Sequence, residues 1–188
     1  MTSQPTKAGR YYQFKLTFAG IKPPIWRRLL VPDHLTLLGL HEIIQFVGDW
    51  NDDHLHAFTI GDTDYGRPDP YGNLDFKNDA RVKLSALSLE KGSTFTYVYD
   101  FGDEWRIKIR LERILAAEEA PERASCPAGK RAFPPEDCGG VPGYLDLLDA
   151  FADPEHPEHE ESLEWLGDEY DPEECNIAVI NLGLAKVR

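Results

Sequence analysis

Strict alternation of bulky apolar and polar residues in two neighbouring segments most constrains how this chain folds. TFTYVY (94–99) and WRIKIRLE (105–112) place an aromatic or aliphatic side chain at every second position. Side chains alternate between the two faces of a β-strand, so each segment has one face to bury. The short link DFGDE, which contains Gly102, predicts that the two strands form an antiparallel hairpin.

The remaining patterns complete an α+β fold. YQFKLTF (12–18) alternates in the same way, and a Pro-Pro pair marks the turn before a second strand over about residues 25–31. HLHAFTI (54–60) predicts a third strand, and apolar residues at helical spacing between Thr36, a candidate N-cap, and Gly48 predict one early helix. We therefore expect an antiparallel sheet of about five strands, the early packing helix and a C-terminal group of short helices.

The length of the chain suits one hydrophobic core. Residues 1–10 are polar and predict a disordered tail, and 11–188 predict a single domain. Within that domain, 11–115 carry the sheet and early helix, 116–141 form a proline-rich strap, and 142–188 form a helical tail.

Three segments of the domain carry local signals for loops or for the start of a helix. Residues 61–80 are dense in Gly, Pro, Asp and Asn, which predicts a long loop. The strap is irregular in pattern, and we expect no strand within it. Asp171 followed by Pro172 predicts the start of the last helix.

The formal net charge of -13 restricts the partners of this chain. Such a field repels phosphate backbones and acidic membranes, so non-specific nucleic-acid binding is disfavoured. The first ten residues lack the apolar run of a secretory signal, and no stretch approaches the ~20 apolar residues of a membrane span. Cys126, Cys138 and Cys175 form no C-x-x-C pair, which is typical of free thiols. We expect a cytoplasmic protein that does not contact membranes.

Two histidines at alternate positions are the candidate metal ligands. His54 and His56 lie two residues apart in the predicted third strand, so both imidazoles leave the same face. With carboxylates nearby, that spacing suits a divalent metal ion, and the sequence implies no other cofactor. Apolar side chains share the face, and for this reason we favour the alternative, two hydrogen-bonded histidines at the edge of the core.

Acidic residues in two turns form a second candidate set. The DFGDE link supplies Asp100 and Asp103, and RAFPPEDCGG (131–140) supplies Glu136 and Asp137. Such acids coordinate a cation or act as acid and base; alternatively, they accept backbone N–H groups while Pro-Pro and Gly-Gly shape the chain. We favour the second interpretation.

That interpretation makes two local predictions. Gly102 adopts a positive φ in its turn, since glycine has no Cβ to clash there. Glu136 and Asp137 bind Arg27, Arg28 or backbone donors, which ties the strap to the sheet.

We expect a ligand groove between the sheet, the 61–80 loop and the strap, because the four tryptophans can line a pocket: Trp26, Trp50, Trp105 and Trp165. The aromatic members suit a buried core equally well. The candidate ligand-binding residues are Trp50, Tyr65, Tyr97, Asp100, Asp103, Trp105, Glu136 and Asp137.

A row of basic residues alternates with the apolar face of the second hairpin strand. It consists of Arg106, Lys108 and Arg110. Beside Tyr97 and Tyr99 such a row would hold a single nucleic-acid strand. Alternation places the tyrosines on the opposite face, so we expect instead that the acidic helical tail covers and neutralises the row.

Six stretches, in order over about residues 12–182, resemble the plasmid pRi ORF-three-like protein family: GIKPPIWRRLLVP, LHEIIQFVGDWNDDHLHAF, YVYDFGDEWRIKI, RAFPPEDCGG, HPEHEESLEWLG and DPEEC. Some members are labelled transposon-passenger TnpR proteins, so the resemblance implies an association with mobile genetic elements. It implies no established biochemical role. A serine recombinase needs a nucleophilic serine among clustered arginines and a basic DNA-binding tail, and the sequence contains neither.

No nucleophile elbow, P-loop or G-x-G-x-x-G motif is present in the sequence. We therefore interpret the chain as a non-enzymatic cytoplasmic module that binds a protein or a small-molecule ligand. Two alternatives stay open: a metal-dependent hydrolase built on the histidine pair and carboxylates, and a nucleic-acid accessory protein.

Overall fold

A mixed β-sheet is the frame of the fold. The computed structural model of the protein describes residues 9–68, 74–119, 123–167 and 170–185. In that part of the chain the strands are β1 (Arg10–Phe18), β2 (Trp26–Pro32), β3 (His56–Ile60), β4 (Thr63–Gly66), β5 (Lys77–Asn78), β6 (Thr94–Tyr99), β7 (Trp105–Ala116) and β8 (Ser125–Lys130). They join in the order β5-β4-β3-β6-β7-β1-β2-β8, and each pair is antiparallel except β4–β5.

The helices of the described residues bury the inner face of the sheet. They are α1 (Leu37–Gly48), α2 (Gly140–Ala152), α3 (His159–Leu166) and α4 (Ile177–Leu184). Helix α1 packs against α4, α4 packs against β8, and α2 packs against α3. Tyr144 of α2 meets Trp105 of β7 edge to face, with ring centroids 6.3 Å apart. The fold is therefore α+β, as predicted.

The central hairpin and the early helix confirm the alternation and spacing arguments. Strands β6 and β7 pair from Thr94↔Arg110 to Tyr99↔Trp105. Helix α1 begins after Thr36, whose side chain accepts the N–H of Gly39 as an N-cap. Its apolar stripe is buried against the inner face of the sheet.

The prediction of about five strands is wrong, because the sheet has eight among the described residues. The additional strands lie in segments interpreted as loop or irregular: β4 and β5 within 61–80, and β8 within the strap. Strands β5 and β8 are the two edges of the sheet. An edge strand pairs on one side only, so it tolerates Pro and Gly. The edge strand β8, SCPAGK, contains both residues and shows no alternating pattern that would predict a strand.

The predicted boundaries at the two ends of the chain also shift. Strand β1 already includes Arg10, and residues 1–8 of the predicted tail lie outside the described residues. The start of the last helix at Asp171 is wrong: the Asp171 carboxylate caps a single turn by accepting the N–H of Glu173. Helix α4 begins six residues later, where the Asn176 side chain accepts the N–H of Val179.

The basic row lies on the outer face of the sheet. Arg106, Lys108 and Arg110 are exposed, whereas the tyrosines of β6 are buried on the inner face, which confirms their separation. The prediction that the acidic tail covers the row is wrong for the described residues: the acidic helix α3 packs against α2, whose Tyr144 contacts Trp105 on the inner face, and the row is exposed. Among these residues, no helix has both the length and the hydrophobicity to cross a bilayer.

Candidate functional site

The aromatic residues predicted to line a groove lie mainly in the core. Trp50, Tyr97 and Trp105 expose 7%, 0% and 0% of their surface. The Trp50 ring stacks on Tyr99 with centroids 4.8 Å apart. Tyr65 is half-buried on β4, with the Lys77 ammonium over its ring. These side chains stabilise the fold, and the candidate site has to be sought among the polar groups around them.

The predicted acids do come together, where the strap meets the β6–β7 turn. The Gly139 N–H donates to the Asp103 carboxylate at 3.1 Å. Gly140 passes so close to the turn that a Cβ there would lie 2.2 Å from the Asp103 carbonyl oxygen. The Gly-Gly pair therefore brings the strap against the turn, as the sequence predicts.

Glu136 is the central acceptor of this junction. Its carboxylate accepts the backbone and side-chain N–H groups of Asn51 at 2.8 and 2.9 Å. The Tyr99 hydroxyl donates to it at 2.5 Å. Burial, followed by this carboxylate, raises the pKa of Tyr99, so the phenol keeps its proton. The Trp50 indole N–H donates to the Pro134 carbonyl and completes the attachment of the strap.

The predicted arginine partners of the strap acids are wrong. Arg28 pairs with Glu112 on the outer face at 2.6 Å. The Arg27 guanidinium lies 4.7 Å from the centroid of Phe133 and donates to backbone carbonyls. The alternative of backbone donors is confirmed for Glu136, which accepts the Asn51 backbone N–H, whereas Asp137 lies against His54.

The predicted positive φ at Gly102 is also wrong. The left-handed positions of this turn are Asp100 and Glu104, with φ of 55° and 58°. The Asp100 carboxylate accepts the Gly102 N–H at 2.8 Å, which confirms its predicted role as a turn acceptor.

His41 belongs to a buried hydrogen-bond network that the sequence analysis missed. Its Nε2–H donates to Asp52 and its Nδ1 accepts the Tyr97 hydroxyl, both at 2.8 Å. The Gln45 amide donates to the same hydroxyl oxygen at 3.0 Å. Every polar atom named here has a partner when the imidazole is neutral. His41 lies on the apolar stripe of α1, and a polar residue in that position was the available signal.

His56 stacks directly on His41. The two rings are nearly parallel, with centroids 3.5 Å apart, and His56 donates from Nε2 to the buried Asp79 carboxylate at 2.7 Å. A metal ion bound in the plane of one ring, ~2.1 Å from its nitrogen, would lie roughly 3 Å or more from the other ring. The stacked pair therefore does not act as a joint metal ligand in this arrangement, although His41, Asp52 and His56 lie within 4.8 Å of one another.

The stacked pair makes stability sensitive to acid. Burial, followed by the adjacent His56 ring, lowers the pKa of His41 to about 4 from 6.5. The unfolded chain then binds more protons than the folded chain between these values, so stability falls as pH falls through that window, by on the order of 3 kcal/mol. Urea unfolding between pH 7 and pH 4 measures the loss. His41→Gln should flatten the profile, and His34→Gln on the surface should leave it unchanged.

His54 has different surroundings from His56. Its Nε2 lies 3.1 Å from the Asp137 carboxylate and its Nδ1 lies 3.6 Å from the Asp100 carboxylate. The His54 side chain is 28% exposed and that of Asp137 is 66% exposed. The two histidines predicted to share one face therefore belong to two separate clusters, because β3 begins only at His56.

Cys138 follows Asp137 but is not a nucleophile. Its thiol donates to the Pro135 carbonyl, and burial raises the pKa of Cys138 to about 12. At neutral pH the sulfur stays protonated, whereas a nucleophile or a metal ligand needs the thiolate. All three cysteines are free, as predicted.

A cleft of about 260 Å³ opens between α2 and α3 beside Asp137. Its apolar lining includes Leu147, Ala150 and Trp165, and the Trp165 side chain is 53% exposed. The carboxylates around it come from the strap and both helices: Asp137, Asp146, Glu158 and Glu161. Strand alternation in the sequence gives no sign of this cleft, because its walls are helices that meet only in the folded chain.

Three comparisons relate the chain to other proteins. Residues 10–179 match the family described as plasmid pRiA4b ORF-3-like protein. The uncharacterized protein y4hQ of Sinorhizobium fredii (strain NBRC 101917 / NGR234) is 37% identical over 174 residues, which cover 90% of this chain and 88% of that protein. The crystal structure of MM3350, a protein of unknown function from Methanosarcina mazei Go1, is 42% identical with a TM-score of 0.83, covering 91% of this chain and 97% of that chain. The family match spans all the strands described above, the strap and helices α1 to α3.

Proposed function

The chain belongs to the plasmid pRiA4b ORF-3-like family, and we propose that it is a binding module that accepts an organic cation in the cleft between α2 and α3. The ligand class is a guanidinium or ammonium group on an apolar stem, as in an arginine side chain of a partner protein or in a small amine. A cytoplasmic location and an association with mobile genetic elements stay predictions.

The single observation that carries this proposal is an exposed tryptophan surrounded by acids in a concave site. An indole face attracts a cation through its quadrupole, and the attraction grows where water is partly excluded. Leu147 and Ala150 provide apolar contact for the stem of the ligand, and the four carboxylates around the cleft neutralise its charge.

The charge of the whole molecule supports the same ligand class. A net charge of -13 attracts cations over the range of the Debye length, and it repels the anionic ligands that a basic site would select. Helices α2 and α3 concentrate acids near the cleft, and the basic row lies on the outer face of the sheet.

A capped arginine amide tests this function directly. We expect saturable binding to the full chain by calorimetry, and a capped citrulline amide, which has nearly the same shape without the charge, should not bind. Trp165→Ala should weaken binding about 5-fold or more, given a cation–π contribution of about 1 kcal/mol. Glu161→Gln should weaken it as well.

Glu164→Gln is the matched control, because Glu164 is exposed on α3 but does not line the cleft. Equal binding of the arginine and citrulline probes, or an unchanged affinity in Trp165→Ala, would contradict the proposal.

A further inference from the structure

We infer that His54 and Asp137 bind a divalent transition-metal cation of the Zn²⁺ class, with Asp100 as the positioning carboxylate behind the imidazole. The three side chains come from the loop before β3, the β6–β7 turn and the strap. Their ligand atoms lie within 4.8 Å of one another. The inference goes beyond the cleft, which shares only Asp137 with this cluster.

The shortage of hydrogen-bond donors between His54 and its two carboxylates favours a bound cation. A neutral imidazole has one N–H and one lone pair, and ionised carboxylates only accept hydrogen bonds. His54 has a carboxylate facing each ring nitrogen, at 3.1 and 3.6 Å. A neutral His54 therefore directs the lone pair of one nitrogen at a carboxylate, and a positive charge, either a second ring proton or a bound cation, removes this repulsion. A metal ion between Nε2 and Asp137 does so and uses lone pairs of both side chains as ligands.

The separation between Nε2 and the Asp137 oxygen fits two neighbouring ligands of one ion. Metal–ligand bonds of ~2.1 Å in tetrahedral or octahedral geometry place adjacent ligand atoms about 3.0–3.4 Å apart. The observed separation is 3.1 Å. The ion can therefore enter with only a small shift of either side chain, and the exposure of Asp137 leaves room for water as the remaining ligands.

The Asp100 carboxylate faces the Nδ1 side of the imidazole at 3.6 Å, within range of an ion pair but longer than a hydrogen bond. This carboxylate is held in the turn by the Gly102 N–H at 2.8 Å, and the Asp100 side chain is 12% exposed. A carboxylate on the Nδ1 side favours the tautomer whose Nε2 is free to bind metal, which is the usual arrangement of an outer carboxylate at a histidine ligand. His41 and His56 differ from His54 in this respect. Their Nε2 atoms donate hydrogen bonds to Asp52 and Asp79, respectively, and are not free to bind metal.

Zinc titration of the full chain, treated first with a chelator, tests the site. We expect one equivalent of Zn²⁺ to bind by calorimetry and Mg²⁺, which prefers oxygen ligands, to bind much more weakly. His54→Gln and Asp137→Asn should each weaken Zn²⁺ binding by about 10-fold or more, and Asp100→Asn by about 10–100-fold. Circular dichroism of each variant verifies its fold.

Two control variants and one spectrum make the test specific. His34→Gln removes an exposed imidazole and Asp53→Asn removes an exposed carboxylate next to His54, and both should bind Zn²⁺ as the wild type does. With Co²⁺ in place of Zn²⁺, we expect visible bands without a thiolate charge-transfer band, because the Cys138 thiol is not a ligand.

Two results would overturn the inference. Undiminished Zn²⁺ binding in the double variant His54→Gln/Asp137→Asn would place the ion elsewhere. No saturable binding to the wild type would mean that His54 and Asp137 contact each other without holding a metal ion.

The metal site and the arginine-binding cleft can be tested separately, because different variants remove each of them. Trp165→Ala should retain Zn²⁺ binding, and His54→Gln should retain binding of the arginine probe. Because Asp137 borders both sites, Zn²⁺ should weaken binding of the arginine probe in the wild type but not in His54→Gln.

Discussion

Replacement of His56 by alanine should destabilise the protein by about 3–5 kcal/mol, because it leaves a buried carboxylate without its partner. His56 and Asp79 expose 3% and 2% of their surface. Burial alone would raise the pKa of Asp79, but the hydrogen bond and charge interaction with His56, together with the Ala80 N–H and His41, outweigh it and the pKa is lowered. Asp79 is thus ionised and depends on His56. The free energy of unfolding from urea denaturation at pH 7 measures the effect.

The double variant His56→Ala/Asp79→Asn separates the unpaired charge from the loss of packing. Removing the carboxylate charge should recover part of the lost stability, so the two changes should not add. If His56→Ala instead left stability unchanged and removed bound metal, the histidine would be a ligand, as the metal-dependent alternative predicts.

Gly140→Ala should strongly destabilise the junction of strap and turn, with a loss of about 3 kcal/mol or more. Gly140 has φ of +67°, which costs about 1–3 kcal/mol for a residue with a Cβ. The new Cβ would also lie 2.2 Å from the Asp103 carbonyl oxygen, so the strap must move away from the β6–β7 turn. Thermal and urea unfolding measure the loss.

Gly61→Ala is the matched control for the backbone conformation. Gly61 has φ of +59°, but a Cβ there would meet no atom within 4 Å. Gly61→Ala should therefore lose only the stability that a positive φ costs a residue with a Cβ. Equal losses in the two variants would mean that the contact between strap and turn contributes nothing. If the strap does move, Gly140→Ala should also weaken Zn²⁺ binding, since Asp137 lies on the same segment.

The candidate site was only partly predictable from its residues. The acids Asp100, Asp103, Glu136 and Asp137 were found because acids beside Gly and Pro mark functional or turn-forming loops. Their partners were missed because Asn51 lies far away in sequence and has no pattern of its own. The spacing of His54 and His56 predicts one pair on a shared strand face. In the structure β3 begins only at His56, so the two imidazoles are separated.

The periodicity of the sequence does not reveal the cleft. Trp165 and its acids follow the ordinary pattern of a surface helix, and their significance depends on α2 lying opposite α3. The same limit explains the stacked pair: the position of His41 on an apolar stripe is visible in the sequence, but its contact with His56 is not.

The sequence alone determined the central part of this fold, because alternation at period two and helical spacing express which face of an element must be buried. It therefore predicted the β6–β7 hairpin, the β1–β2 pair, α1 with its Thr36 cap and the free thiols. Only the tertiary structure decided the edge strands, the partners of the strap acids and the separation of the histidines. Those features depend on contacts between segments distant in the chain, and the intrinsic preference of each segment is too weak to specify them.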